Sequence, residues 1–137
     1  MGESTPSTAS DRTLFEQSAR DPALFDAHPQ PMWVVDAGTL AFLAVNRAAV
    51  RLYGYSKPEF LAVTADRIRP ADEVEDLRRA FADWSHNVSQ RIWRHQKKGG
   101  DVIAVKVTSF SMEFAGRPAR VEVLEDLTPQ GGGARQE

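Results

Sequence analysis

No cysteine occurs among the 137 residues. That absence excludes a disulfide framework, a thiolate nucleophile and thiolate metal ligation. Histidine is scarce, with three in all. His28, His86 and His95 share no metal-ligand spacing, so a zinc site is not expected. No apolar run approaches the roughly 20 residues that a membrane span requires. The first residues, Met1-Gly2-Glu3-Ser4-Thr5-Pro6, are polar, with no basic stretch leading into an apolar core, as a secretory signal would need. A cytoplasmic location, with no membrane partner, is the expectation. An excess of basic charge is also missing, since the formal net charge is -2. Nucleic-acid binding through a basic face is therefore not expected.

What is present suits one globular domain: 42% hydrophobic and 26% charged residues exclude global disorder. Residues 1–20 read as a flexible Ser/Thr/Pro-rich lead followed by a helix that Asp11 caps, with Leu14 and Phe15 on its apolar side. Asp21-Pro22 starts a second short helix carrying Leu24 and Phe25, which Pro29 and Pro31 stop. His28 is placed to cap its last carbonyls.

Met32 to Val35 reads as a buried strand, Asp36-Ala37-Gly38-Thr39 as a turn, and Leu40 to Val45 as the partner strand. Asn46 caps a helix whose apolar face is Ala48, Ala49, Leu52 and Tyr53, and Gly54 closes it. Ser56-Lys57-Pro58-Glu59 is a capping box for the next short helix, and Asp66 to Arg69 suggests a further turn. Asp72 and Glu75 predict a second capping box, at the head of the longest helix, with Val74, Leu77, Phe81 and Trp84 as its stripe. Glu75 and Arg79 are spaced to pair on its wet side.

Three strands finish the chain: Ser89 to His95, Val102 to Phe114 and Ala119 to Leu127. The middle one is apolar at both parities, with Ile103, Val105 and Val107 on one and Val102, Phe110, Met112 and Phe114 on the other. Such a strand is covered on both faces. The N-terminal residues Leu14, Phe15, Leu24 and Phe25, from the same chain or from a second copy, are the expected cover of the outer face. Residues 129–137, with Gly131-Gly132-Gly133, read as a flexible Gly-rich tail.

This order of elements resembles the PAS domain over about residues 21–128. The resemblance is carried by Pro31-Met32-Trp33, Val45-Asn46-Arg47-Ala48-Ala49, Tyr53-Gly54-Tyr55-Ser56, Ile68-Arg69-Pro70, Lys98-Gly99-Gly100 and Asp126-Leu127-Thr128. It implies an α+β fold: a five-stranded antiparallel sheet with helices on one face and an N-terminal helix on the other. It implies a sensory input module of the kind found in sensor histidine kinases and cyclic-di-GMP signalling proteins, working as a homodimer with such an effector domain or partner. Leu77, Phe81, Trp84, Ile92, Val105, Val107, Val121 and Val123 would line the ligand pocket. Leu14, Phe15, Leu24, Phe25, Phe110, Met112 and Phe114 would form the dimer or helix-packing surface, and Asp126 and Thr128 the signal-output motif.

The family's ligands are diverse, and the cofactor is left unknown. Without cysteine, a thiol-linked flavin or other thiol-linked chromophore is excluded. Haem is disfavoured, because His86 points sideways from the long helix. Non-covalent flavin or a small organic acid remains open. His95 reads as a surface histidine beside the basic hairpin tip, and Lys97-Lys98 as a solubilising turn. Trp84 and Trp93 read first as core and second as a stacking platform. Arg91 and Arg94, taken as one strand face, offer a carboxylate clamp, against the simpler reading of a solvated face. No catalytic constellation stands out. Two rivals to the sensor are a ligand-free dimerisation module with a packed core and a small enzyme using an inward carboxylate, which needs a buried Asp or Glu in the cavity.

Overall fold

The helix starts signalled in the sequence at Asp21, Asn46 and Ser56 are each satisfied by a side chain, whereas the Asp11 cap lies outside the described residues. The structure is a computed structural model describing residues 15–82 and 88–128, the side chains of 81, 82 and 88 excepted. Residues 15–20 are helical. Helix α1 (Pro22–Ala27) follows, with Asp21 accepting from the backbone N–H groups of Ala23 and Leu24. Helix α2 (Arg47–Tyr53) is capped by Asn46 and closed by Gly54 at φ 87°, a conformation that favours glycine. Helix α3 (Lys57–Leu61) carries the complete Ser56–Glu59 capping box. Such caps contribute about 1 kcal/mol each.

Asn46 does more than cap. It is fully buried, its Oδ1 also accepts from Met32 N at 2.9 Å, and its Nδ2 donates to Gln30 O at 2.9 Å. The same side chain thereby fixes the entry of β1 (Met32–Asp36) against α2.

The other strands are β2 (Phe42–Val45), β3 (Val88–Gln96), β4 (Val102–Phe114) and β5 (Arg117–Asp126). β2 starts later than the sequence suggests, because Leu40 turns into the left-handed region at φ 68°. The sheet order is β2-β1-β5-β4-β3, with every neighbouring pair antiparallel. Two 3-10 turns, at Ala65–Ile68 and Ala71–Glu73, precede the longest helix, α4 (Val74–Ala82).

The expected capping box at α4 is absent from the described contacts. Asp72 and Glu73 lie in the 3-10 turn instead. Both carboxylates bond Arg94 across to β3, at 2.6 Å and 3.0 Å, and Glu73 also accepts Arg94 N at 3.0 Å. Tertiary charge pairing outweighs the local cap. Likewise Arg79 bonds Asp76 at 2.8 Å, rather than the expected Glu75.

The register separates two apolar layers. On the inner face, toward the helices, Trp33, Val35, Val105, Val107 and Leu124 join Leu40, Phe42, Tyr53, Phe60, Ile68 and Leu77. On the outer face, Met32, Val34, Phe110, Met112, Ala119, Val121 and Val123 join Ala19 and Phe25, with Phe15 and Phe114 at the margin. The N-terminal segment of the same chain covers the outer face, as its composition suggests, and Phe15 stacks on Phe110 at 5.7 Å. Leu24 is the exception: it is 57% exposed, because α1 presents Phe25 to the sheet. Leu14 lies outside the described residues.

Candidate functional site

The inner face is unequal along its width. Under α2 and α3 it is filled by rings. Trp33 contacts Phe42 and Tyr53 at centroid distances of 5.0 and 5.2 Å, and Phe42 meets Phe60 edge-on at 5.1 Å. Toward α4 the apolar side chains give way to a cavity of about 450 Å³, within the range of small-molecule sites.

Strand parity explains the cavity's floor. Ser109 pairs with Glu122, and Ser111 with Arg120. All four are buried, and they point to the same side as Val105, Val107 and Leu124. Arg120 Nη1 donates to Ser109 Oγ at 3.1 Å. Glu122 accepts the indole N–H of Trp33 at 2.7 Å. Ser109, Arg120, Glu122, Val107 and Trp93 all line the cavity.

Behind this wall lies Arg69, 4% exposed, its Cζ 4.6 Å from the centre of the Trp93 ring. None of its three guanidinium nitrogens has a hydrogen-bond partner among the described residues. Burial lowers its pKa from the ordinary value, and the Glu122 charge opposes that shift. A desolvated cation–π contact supplies about 2 kcal/mol, whereas removing an ion from water costs several kcal/mol. The ring contact alone therefore leaves Arg69 under-compensated.

His95 is fully buried, not the surface histidine expected from its place beside the hairpin tip. The odd positions of β3 face inward, and the Tyr53 hydroxyl and His95 Nδ1 form a 2.6 Å hydrogen bond. Burial, reinforced by the Arg69 charge, holds the imidazole well below its ordinary pKa. Burial raises Tyr53 well above the usual phenol value. Both groups are neutral at pH 7. His28 is the C-cap of α1, as expected, its backbone N–H donating to Phe25 O at 3.4 Å, and its Nδ1 accepts Gln30 N at 3.1 Å. Lys98 is exposed in the turn, as expected, and is also a tether, with Nζ 2.7 Å from Glu59 and N donating to Tyr53 O.

The predicted pocket residues divide. Leu77, Val105 and Val107 are buried in the inner layer. Val121 and Val123 lie in the outer layer under the N-terminal helices, because β5 is one position out of the assumed parity. Ile92 is 61% exposed and also faces outward. The Phe81 side chain, Trp84 and His86 lie outside the described residues. The polar floor that sequence reading missed, Arg120, Glu122 and Ser109, has the parity opposite to Val121 and Val123. Arg120 and Glu122, alternating with the apolar Ala119, Val121 and Val123, were the available signal.

Arg91 and Arg94 are three apart on a strand, so they occupy opposite faces and form no clamp. Arg91 lies over Trp93 at 3.9 Å and 3.6 Å from Asp76. Trp93 is both buried core and cavity wall. Among the described residues no group of three or more His, Cys, Asp or Glu is arranged to hold a metal. No described helix is long and apolar enough to cross a membrane.

At the end of β5, Asp126 Oδ1 accepts Thr128 N at 2.9 Å. Thr128 Oγ1 accepts Ala104 N at 3.3 Å, and Leu127 N donates to Ala104 O at 2.8 Å. The Asp-x-Thr motif pins the outgoing chain to β4.

A family model described as a PAS domain matches residues 23–92. The methyl sulfide methyltransferase-associated sensor of Methanosarcina acetivorans is 26% identical over 117 residues, a match covering 84% of this chain and 12% of that protein. Among solved structures, the PAS domain of an HTR-like protein from Haloarcula marismortui has a TM-score of 0.70 at 21% identity, covering 87% of this chain and 98% of that one. A PAS domain from a two-component sensor histidine kinase has a TM-score of 0.64 at 17% identity, covering 85% and 98%. These structural likenesses establish the fold.

Proposed function

Since the chain belongs to the PAS domain family, we propose that it is the sensory module of a signalling protein, with the cavity under α4 as input and the Asp126–Thr128 exit as output. The observation carrying this reading is the connection between the two. β4 and β5 supply the cavity floor at Ser109, Arg120 and Glu122, and the same two strands hold the exit through Ala104 and Thr128. A ligand with unequal affinity for two arrangements of these strands shifts their population. One matched relative is itself named a sensor, and another is a domain of a sensor histidine kinase.

The finer parts of the proposal are a cytoplasmic homodimer, packed through the N-terminal helices, that controls a kinase or cyclic-di-GMP effector without catalysis of its own. Glu122 is the buried inward carboxylate that an enzyme would require, but among the described residues the cavity lining holds no histidine beside it. Its indole and arginine surroundings suit charge binding. The ring-filled half under α2 and α3 favours the second reading, a docking module without a ligand.

A metabolite screen by thermal shift, with native mass spectrometry of the freshly purified chain, tests the sensor. The expected result is a compound that raises Tm and perturbs the backbone NMR signals of Ala104 and Thr128. No bound mass and no Tm change across the screen would leave the docking module.

A further inference from the structure

We propose that the tip of the β3–β4 hairpin is an acid-sensitive latch: protonation of His95 frees the tip from the end of α2 while the rest of the sheet stays folded. His95, Tyr53 and Lys98 lie outside the cavity lining, so the latch stands apart from the sensory reading of that cavity.

One residue grips the hairpin twice. The Tyr53 side chain shares its 2.6 Å hydrogen bond with His95 Nδ1, and the Tyr53 carbonyl accepts Lys98 N at 2.9 Å. These two contacts bracket the end of β3, where Gln96 passes into the turn. The approach is close: a Cβ on Gly54 would lie 3.6 Å from the Lys98 Cβ. Lys98 Nζ adds an ion pair to Glu59 on α3 at 2.7 Å, half exposed and of the kind that contributes little. Among the described residues, losing the His95 bond leaves the polar hold on the tip to one backbone bond and that surface pair.

His95 has no room for a second proton. The neutral ring satisfies Tyr53 through Nδ1, and Nε2 has no partner among the described residues. An imidazolium donates from both nitrogens. Nδ1 then no longer accepts the Tyr53 proton, and Nε2 presents a charged donor to a buried region without an acceptor. The neighbours give no relief. From the turn, Arg69 bears on His95 with like charge. From α2, Tyr53 is kept neutral by burial. β1 brings the uncharged Trp33 ring, at 5.7 Å, and β4 the apolar Ile103 opposite His95. The Glu122 and Asp126 charges bear on Tyr53, and those of Glu122 and Glu73 on Arg69. None of these carboxylates bonds Nε2.

Acid therefore favours release. Burial and Arg69 hold the latched imidazole well below its ordinary value, which lies near 6.5 and is regained when the tip meets water. Above that pH both forms are neutral and the latch is unaffected. Below it the released tip takes up a proton that the latched tip refuses. The released population then grows by about tenfold per pH unit until the latched ring itself titrates. Glu59 enters lower down, because its bond to Lys98 and the Ser56 backbone hold its carboxyl below the usual value.

The test is hydrogen exchange by NMR on the full chain at pH 6.5 and 5.5, corrected for intrinsic exchange rates. The Lys98 amide reports the tip, and the Val121 amide, in the middle of β5, reports unfolding of the whole chain. Lys98 is expected to be less protected than Val121 at both pH values, and to lose protection by about tenfold over that unit. His95→Gln keeps an acceptor for Tyr53 and cannot be charged, so it is expected to abolish the loss at Lys98. Equal protection of Lys98 and Val121 means that the tip opens only with the whole chain, and overturns the latch. Lower protection at Lys98 that ignores pH overturns it too, as does a loss that persists in His95→Gln. Should that variant fail to fold by circular dichroism, the ring signals of His95 in the parent decide. A ring that stays neutral at both pH values while Lys98 loses protection supports the latch. A ring already charged at pH 5.5 with Lys98 still protected overturns it.

Discussion

The two faces of β4 and β5 are built from the same two segments, yet they solve different problems. The outer face, with Phe110, Met112, Val121 and Val123, is apolar throughout and closed by the N-terminal helices. The inner face alternates Val107 and Leu124 with Ser109, Arg120 and Glu122, all buried. A dry face gains stability from every contact it makes. A face with buried charge gives up stability to desolvate those groups. The difference sets an apolar layer against a polar one within single strands.

The comparison can be broken at several points. Phe110→Ala on the outer face should cost about 3–5 kcal/mol by urea unfolding, since it opens a cavity against Phe15 and Val121. A loss near zero would mean that the outer layer is loosely held. On the inner side, Arg69→Met should stabilise the ligand-free chain by roughly 1–4 kcal/mol, because an under-compensated ion is replaced by an apolar side chain of similar length. A clear destabilisation would show that Arg69 is well satisfied and is part of the scaffold.

Tyr53→Phe removes the partner of His95 Nδ1 and should cost about 1–3 kcal/mol, the penalty of an unmet buried polar atom. The smallest effect is in pH. His95 has a depressed folded-state pKa, so below its ordinary value near 6.5 the unfolded chain binds a proton that the folded chain refuses. Stability therefore falls as pH drops through that range toward the folded value, by at most about 1.4 kcal/mol per unit from this group. Denaturant midpoints at pH 7.5 and 5.5 should differ less in His95→Gln than in the parent. An unchanged difference would remove His95 from the account.

Much of this was legible in the chain itself. The caps at Asp21, Asn46 and Ser56, the glycine at 54 and the double-parity pattern of β4 each act over a few residues, so local sequence states them directly. The strands, the long helix and the cover of the outer face followed from them. The parity of β5 did not, because Val121-Glu122-Val123-Leu124 offers apolar residues at both parities. His95 was misread for a similar reason: its neighbours in sequence are basic and solvated, while its neighbours in space are Tyr53 and Trp33.

The sequence by itself determined where elements begin and end, and which segments must be covered on both faces, because hydrogen-bond caps and side-chain periodicity are local. Only the tertiary structure decided that Arg69, Arg120 and Glu122 share one buried region. They stand 51 and 53 positions apart along the chain, and their meeting depends on strand register and on the turn that carries Arg69 over Trp93. Electrostatics in a water-poor interior depends on distance through space, which no short window of sequence encodes.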